Sequence, residues 1–324
     1  MLNRRTLILF ALTLLLTPSL TNAQSETRPI TIVVPFTAGT GVDILARVIG
    51  DEMQSRLGQP VVIENKPGAS GNIGTYQVAR AAPDGLTLLM TAPSHVLSNI
   101  GAFKKFPFDP QTSFAPVIEV ATGALALVVH HSVPAKTLRE YVELTRASPG
   151  ELNYASTGPL SAQHLAMELF KLATKTSVVH VPYPGSAGAI RDVVAGHVNA
   201  MFMPLHTALP LLPAQQIRAL AVASDKRSAL APDLPTIAEE GVKGADVELW
   251  YGLLAPAGTP KELLGRYNKL ANEILALPKV HAELSKQGLV IVGGSAKRFE
   301  DFIAGEVRRW EKVIDEAGLT PNKT

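Results

Sequence analysis

Phe36-Thr37-Ala38-Gly39-Thr40-Gly41 is the first stretch whose residue types point to chemistry. It follows a short apolar run, Ile30-Thr-Ile-Val-Val34, and opens into a helical pattern. Glycine and threonine leave backbone N–H groups uncovered, and the dipole of a following helix favours an anion beside them. No charge occurs in the loop before Asp43. These are the properties of half a carboxylate-binding cleft. A second stretch repeats the logic at Ser156, Thr157, Gly158 and Ser161, where a strand ends, small and hydroxyl residues follow, and a helix begins. Ser161 is placed as its N-cap. Each stretch alone also reads as an ordinary capped turn. Two in matched positions favour a shared site, in which two helix N-termini supply neutral hydrogen bonds to one carboxylate.

Around these loops several side chains carry two readings each. His164, in the first turn after the second loop, either donates to a ligand or packs beneath the loop. Asp43 is read as a partner for free N–H groups in its helix's first turn rather than as a base, which would need a substrate proton within reach. Phe36 and Tyr183 either wall a ligand or pack in the ordinary way. Gly39-Thr-Gly41 lacks the third glycine of a dinucleotide fingerprint, and no Gly-Lys-Ser/Thr phosphate loop occurs. Gly185-Ser186-Ala187-Gly188 is not the Gly-x-Ser-x-Gly of a nucleophile elbow, so Ser186 reads as an N-cap. The eight histidines show no ligand spacing, so neither a metal nor a cofactor is expected.

Composition narrows the function classes. The chain has 324 residues, enough for two domains, and no cysteine. Disulfides, thiolate nucleophiles and lipidation at cysteine are thereby excluded. Residues 1–23 carry Arg4 and Arg5, an apolar run broken only by Thr13, and the small-residue site Thr21-Asn22-Ala23. That order is a cleavable secretory signal, and the run is too short for a membrane span. Its removal leaves 28 basic against 28 acidic residues, with no electrostatic footprint for nucleic acid or an anionic membrane.

The elements that must position the loops alternate. Strands are expected at 30–34, 61–64, 86–91, 152–156, 178–181, 198–203 and 217–223. Helices are expected at 42–57, 138–147, 162–172, 187–195, 261–277, 280–287 and 297–317. Such alternation predicts parallel βαβ units with ligands at the carboxyl ends of the strands. The run 114–130, broken near Thr122-Gly123, would leave the first domain for the second, and 247–254 would return. The predicted fold is therefore α/β and two-lobed. Domain 1 spans 24–122 and 250–324, domain 2 spans 123–249, and two crossing hinge strands flank a central cleft.

Motifs in order along the mature chain carry a resemblance. They run from Pro-Ile-Thr-Ile-Val-Val-Pro-Phe at Pro29 through Asp43-Ile-Leu-Ala-Arg47 and Leu57-Gly-Gln-Pro-Val-Val-Ile-Glu-Asn65 to Pro67-Gly-Ala-Ser-Gly-Asn-Ile-Gly74. Ala81-Ala-Pro-Asp-Gly85, Leu152-Asn-Tyr-Ala-Ser156, Val179-His-Val-Pro-Tyr183, Arg218-Ala-Leu-Ala-Val222 and Gly252-Leu-Leu-Ala-Pro-Ala-Gly-Thr-Pro260 follow. Together they resemble the periplasmic solute-binding receptors of tripartite tricarboxylate transporters, the Bug family. The resemblance implies a two-lobed, periplasmic-binding-protein-like fold and an organic acid whose carboxylate is held at the two loops, partly through ordered water. It puts the distal end of the ligand near Ser94, Tyr183 and Met203. The chain departs from the family where Pro159-Leu160, Pro184 and Met203-Pro204 replace more polar residues. That departure implies a less polar acid, aromatic or aliphatic.

The function expected is capture of a small organic carboxylate outside the cytoplasm and its delivery to a membrane permease or a sensor kinase, by a monomer. An exported hydrolase or isomerase acting on a carboxylate is the alternative. It would need a nucleophile, base and acid set that the sequence does not display.

Overall fold

The computed structural model describes residues 28–93 and 108–319. The expected signal segment at 1–23 lies outside the described residues, as does Ser94. β1 (Ile30–Val34) is buried along almost its whole length and pairs in parallel with both β2 (Val61–Asn65) and β3 (Thr87–Thr91). α1 (Gly41–Leu57) follows β1 and covers it with Leu45, Ile49 and Met53. Full burial of such side chains is worth about 1.5–3 kcal/mol each. The helix ends where Gly58 takes a left-handed conformation and donates its N–H to the Gln54 carbonyl. α2 (Asn72–Ala79) then brings Gly74 against the backbone of the first loop. A Cβ there would lie 2.8 Å from the Lys66 carbonyl oxygen and 3.0 Å from Cα of Pro35.

The other half is built alike. α3 (Leu138–Ala147) precedes β5 (Asn153–Ser156), which leads to α4 (Ala162–Thr174). β6 (Val179–Pro182) leads to α5 (Ser186–Val194), and β7 (Ala200–Pro204) to the single turn α6 (Leu205–Ala208). β5 pairs in parallel with β6 and with β7. β8 (Ile217–Val222) lies antiparallel to β4 (Phe114–His130). β9 (Glu248–Pro256) returns antiparallel to β4 and to β3. α7 (Lys261–Leu275), α8 (Pro278–Lys286), the short β10 (Leu289–Ile291) and α9 (Ala296–Glu316) complete the chain.

Two lobes result, joined by one sheet in the order β2-β1-β3-β9-β4-β7-β5-β6, with β8 and β10 also on β4. β4 belongs to both halves: residues 114–124 pair with β9, and Leu125 to Val129 with β7. Three expectations need correcting. β4 is one 17-residue strand rather than a run broken at Thr122-Gly123. It bends through register shifts between Pro116 and Ile118 and between Glu119 and Ala121. Parallel pairing is confined to β2-β1-β3 and β7-β5-β6, because the crossing strands must run against their neighbours to return the chain. β10 and α6 were not anticipated, since three and four residues are too few for a periodic signal. Trp250 of β9 packs edge-on against Phe299 and Phe302, the first of which is on α9 with the second, and so binds that helix to the first half.

Candidate functional site

The first loop is held from behind by Asp43, whose side chain is buried. Its Oδ2 accepts the Gly39 N–H at 2.8 Å and Nε of Arg47 at 3.0 Å. Its Oδ1 accepts Nδ2 of Asn65 at 2.9 Å, and the same amide reaches the Phe36 carbonyl at 3.1 Å. Burial pushes the Asp43 carboxyl up, but the hydrogen bonds from Arg47, Gly39 and Asn65 together hold it below the usual range. All its acceptor capacity is spent on the scaffold. Thr40 is the N-cap of α1 but makes no side-chain cap; its hydroxyl turns back to the Thr37 carbonyl. The first backbone N–H groups of α1 are therefore left for the cavity.

The second loop rests on a different foundation. Ser156 is fully buried, and its Oγ bonds both to Gly158 backbone atoms, at 3.0 and 3.1 Å, and to Nε2 of His180 at 2.6 Å. His164 takes the Leu160 N–H on Nδ1 at 3.0 Å. That steadies Leu160 in a left-handed conformation, φ 57°, which is strained for a residue with a side chain. The imidazoles of His164 and His180 stack 4.1 Å apart, with Tyr154 against His180 at 4.9 Å. Below them Glu168 accepts the Tyr154 hydroxyl at 2.6 Å and Lys171 at 2.7 Å. Burial, reinforced by His180, pulls His164 down to about 4, so its ring is neutral at pH 7. Because Nδ1 accepts, Nε2 carries the proton and faces Glu168 Oε1 at 3.8 Å.

Between the loops lies a cavity of about 330 Å³. Phe36, Thr37, Ala38, Gly39, Thr40 and Gly41 line it on one side. Thr157, Ser161 and Gln163 line it on the other. The Thr157 hydroxyl donates to Gln163 Oε1 at 3.0 Å, so the Gln163 amide nitrogen keeps its hydrogens for other partners. Among the described residues that line the cavity, none is Asp, Glu, Lys or Arg. The turn before α2 also reaches the second loop, where Ser70 Oγ donates to the Pro159 carbonyl at 3.3 Å.

Several expected site residues fall outside this lining. Ser156 is turned inward to His180, Gly158 packs toward Ser70, and His164 lies beneath the loop. Tyr183 folds back over α5, with its hydroxyl 2.6 Å from Asp192 and its ring against Gly188. Met203 is fully buried in the second half's core, while the next residue, Pro204, reaches the cavity by strand alternation. Pro184 also lines the cavity, so two of the apolar departures face it. Ser156 and His180 have the make-up of a nucleophile and base. Burial of the serine and its bonds to Gly158 remove it from any substrate.

Sequence reasoning did not find Ser70 and Gly71, the N-terminus of α5 at Gly185 to Ala187, His206, Leu249 or Tyr251, all of which line the cavity. A signal for Tyr251 was available. In Trp250-Tyr251 on a crossing strand, one aromatic must face each side, and Trp250 is taken by α9. His206 follows a strand end by two residues, and nothing in its neighbours marks it.

A two-lobed α/β fold with a ligand-sized cleft between strand ends defines the class of periplasmic solute-binding proteins. Residues 45–319 match the family model described as tripartite tricarboxylate transporter family receptor, and the chain belongs to that family. It is thus a binding protein rather than an enzyme. A protein encoded in a tcbD-tcbE intergenic region of Pseudomonas sp. strain P51 is 36% identical over 98% of this chain and 95% of its own length. BugT of Bordetella pertussis is 34% identical, with 90% of each covered. Among solved structures, R. palustris Rpa4515 with adipate is 37% identical with a TM-score of 0.85, over 90% of this chain and 98% of that one. MatC from Rhodopseudomonas palustris with bound malate is 31% identical with a TM-score of 0.81, over 89% and 99%.

Proposed function

We propose that this protein captures a small organic acid outside the cytoplasm and presents it to a membrane permease or a sensor. The carrying observation is the uncharged cavity between two helix N-termini. Backbone N–H groups of α1, with the Thr157, Ser161 and Gln163 side chains, offer several neutral hydrogen bonds to one carboxylate. Relatives solved with adipate and malate support an acid as the ligand class. In this reading residues 1–23 are removed on export. Residues 24–122 with 250–324 form one lobe and 123–249 the other, working as a monomer that closes about β4 and β9. The contact of Ser70, in the turn before α2, with Pro159 of the second loop belongs to the closed form, and ligand contacts made only in that form drive closure.

Within this reading, Pro184, Pro204, Ile190 and Leu249 beside the cavity favour an acid with an aliphatic or aromatic body over citrate. A thermal-shift screen of the chain from Gln24 tests both levels, after unfolding and refolding to strip retained ligand. The panel is citrate, malate, adipate, benzoate and nicotinate. A ligand that binds only the folded state raises Tm by mass action. A selective rise with adipate or benzoate is expected. Clearly tighter citrate binding would sink the specificity, and silence across the panel would sink the carboxylate reading.

A further inference from the structure

Two polar side chains reach the cavity with no partner among the described residues. Tyr251, on the crossing strand β9, is only 4% exposed, and no described residue hydrogen-bonds its hydroxyl. His206, in α6, is likewise without a hydrogen bond, and burial pulls its imidazole below its ordinary value, so at pH 7 it is neutral. Both converge on one point. A Cβ built on Gly41, the first residue of α1, would lie 3.3 Å from the Tyr251 hydroxyl and 3.7 Å from Cε1 of His206. That point is the N-terminus of a 17-residue helix whose N-cap makes no side-chain hydrogen bond.

The Tyr251 hydroxyl and the half-buried His206 imidazole both open onto the cavity, so their hydrogen-bond partners must come from what fills it. A bound molecule can supply that acceptor. A phenol donates one hydrogen bond, and a neutral imidazole donates from one nitrogen. An anionic oxygen at the end of the helix dipole would accept both. We infer that Tyr251 and His206 form a side-chain anchor for a carboxylate oxygen of the ligand at the N-terminus of α1. The anchor rests on the receptor reading above and extends it. It adds donors on β9 and α6 to the loop backbone and the Thr157, Ser161 and Gln163 side chains. It also puts a ligand contact on one of the two strands that join the lobes, beside Gly123 of β4, whose Cβ would lie 3.6 Å from the Tyr251 ring. Hydroxyl donation to a charged acceptor is among the stronger hydrogen bonds, and its removal lowers affinity by roughly tenfold or more.

The test is calorimetric titration of wild type, Tyr251→Phe and His206→Phe with citrate, malate, adipate, benzoate and nicotinate, together with Tm of each unliganded protein. Tyr251→Phe is expected to bind the preferred acid about tenfold or more weakly. Its unliganded Tm should be unchanged or higher, because the variant removes an unpartnered polar atom and nothing else. His206→Phe, which keeps a ring and removes the donor, should also weaken binding, and keeps the anchor testable should Tyr251→Phe fold poorly. Wild-type affinity in both variants would overturn the anchor and leave the receptor intact. So would a lower unliganded Tm with wild-type affinity in Tyr251→Phe, which would mark a structural hydroxyl. A wild-type chain that binds none of these acids would overturn the receptor reading itself.

Discussion

The two loops that face the cavity look alike from the ligand's side and differ behind it. The first is braced by a charged pair: Asp43, 2% exposed, binds Gly39, Asn65 and Arg47, and Arg47 itself is half in solvent. The second is braced by a neutral stack of the buried Tyr154 and His164 with the half-buried His180, over the Glu168–Lys171 pair. In both, ionised groups are spent on the scaffold, and the cavity is left with backbone N–H groups, hydroxyls and an amide. A receptor must release what it binds. Neutral donors hold a carboxylate without the deep well of a buried ion pair. The difference between the braces means that the loops should fail under different insults.

The largest effect is expected from His164→Ala. It removes the acceptor for the Leu160 N–H and a stacked ring from a buried site, and should cost about 3–4 kcal/mol in denaturant unfolding. Ligand affinity should fall with it, because Leu160 loses the bond that steadies its left-handed backbone. Wild-type stability would contradict a bracing role for the stack.

Acid should separate the loops next. The folded-state value of His164, about 4, lies below the unfolded value near 6.5. Between these values the unfolded chain binds more protons, so stability falls as pH drops from 6.5 toward 4. The slope from this residue is about 1.4 kcal/mol per pH unit. Asp43 acts in the opposite range: its folded value lies below 3.8, so its contribution is intact above that and is lost only at lower pH. Unfolding free energies at pH 7, 5.5 and 4.5 should decline in wild type and decline less in His164→Gln. Equal slopes would remove His164 from the acid response.

Asp43→Asn should be milder, about 1–2 kcal/mol, because the exposed side of Arg47 screens the pair. Its distinguishing sign is salt. High salt should narrow the gap between wild type and Asp43→Asn while leaving that of His164→Ala unchanged. The smallest change is expected at the second loop's own helix cap. Ser161 Oγ accepts the His164 N–H at 3.3 Å, and Ser161→Ala should cost about 1 kcal/mol in stability.

Much of this was legible in the sequence because it rests on local patterns. Apolar alternation located β1, β5 and most helices, since burial face and period follow from composition within one element. The first loop was legible for the same reason: glycine, threonine and an early acid before a helix have local consequences, and Asp43 takes the N–H of Gly39 as its position in the first turn implied. What was not legible depends on which way a buried residue turns. Ser156 and His164 are polar and lie in the second loop, but Ser156 is drawn beneath it by His180, 24 positions on, and His164 by a backbone N–H, that of Leu160, whose direction no side-chain pattern shows. Met203 and Pro204 are neighbours that strand alternation sends to opposite sides. Tyr251 and His206 come to Gly41 across more than 160 positions, through pairings that no local window contains.

The central claim is that an uncharged cavity binds the carboxylate group itself. The most direct measurement is calorimetric titration of the refolded chain with the preferred acid of the panel and, in parallel, with its methyl ester. Saturable binding of the acid and loss of binding with the ester is the predicted result. Equal affinity for acid and ester would mean that the cavity recognises the body of the ligand and not its charge, and would contradict the account.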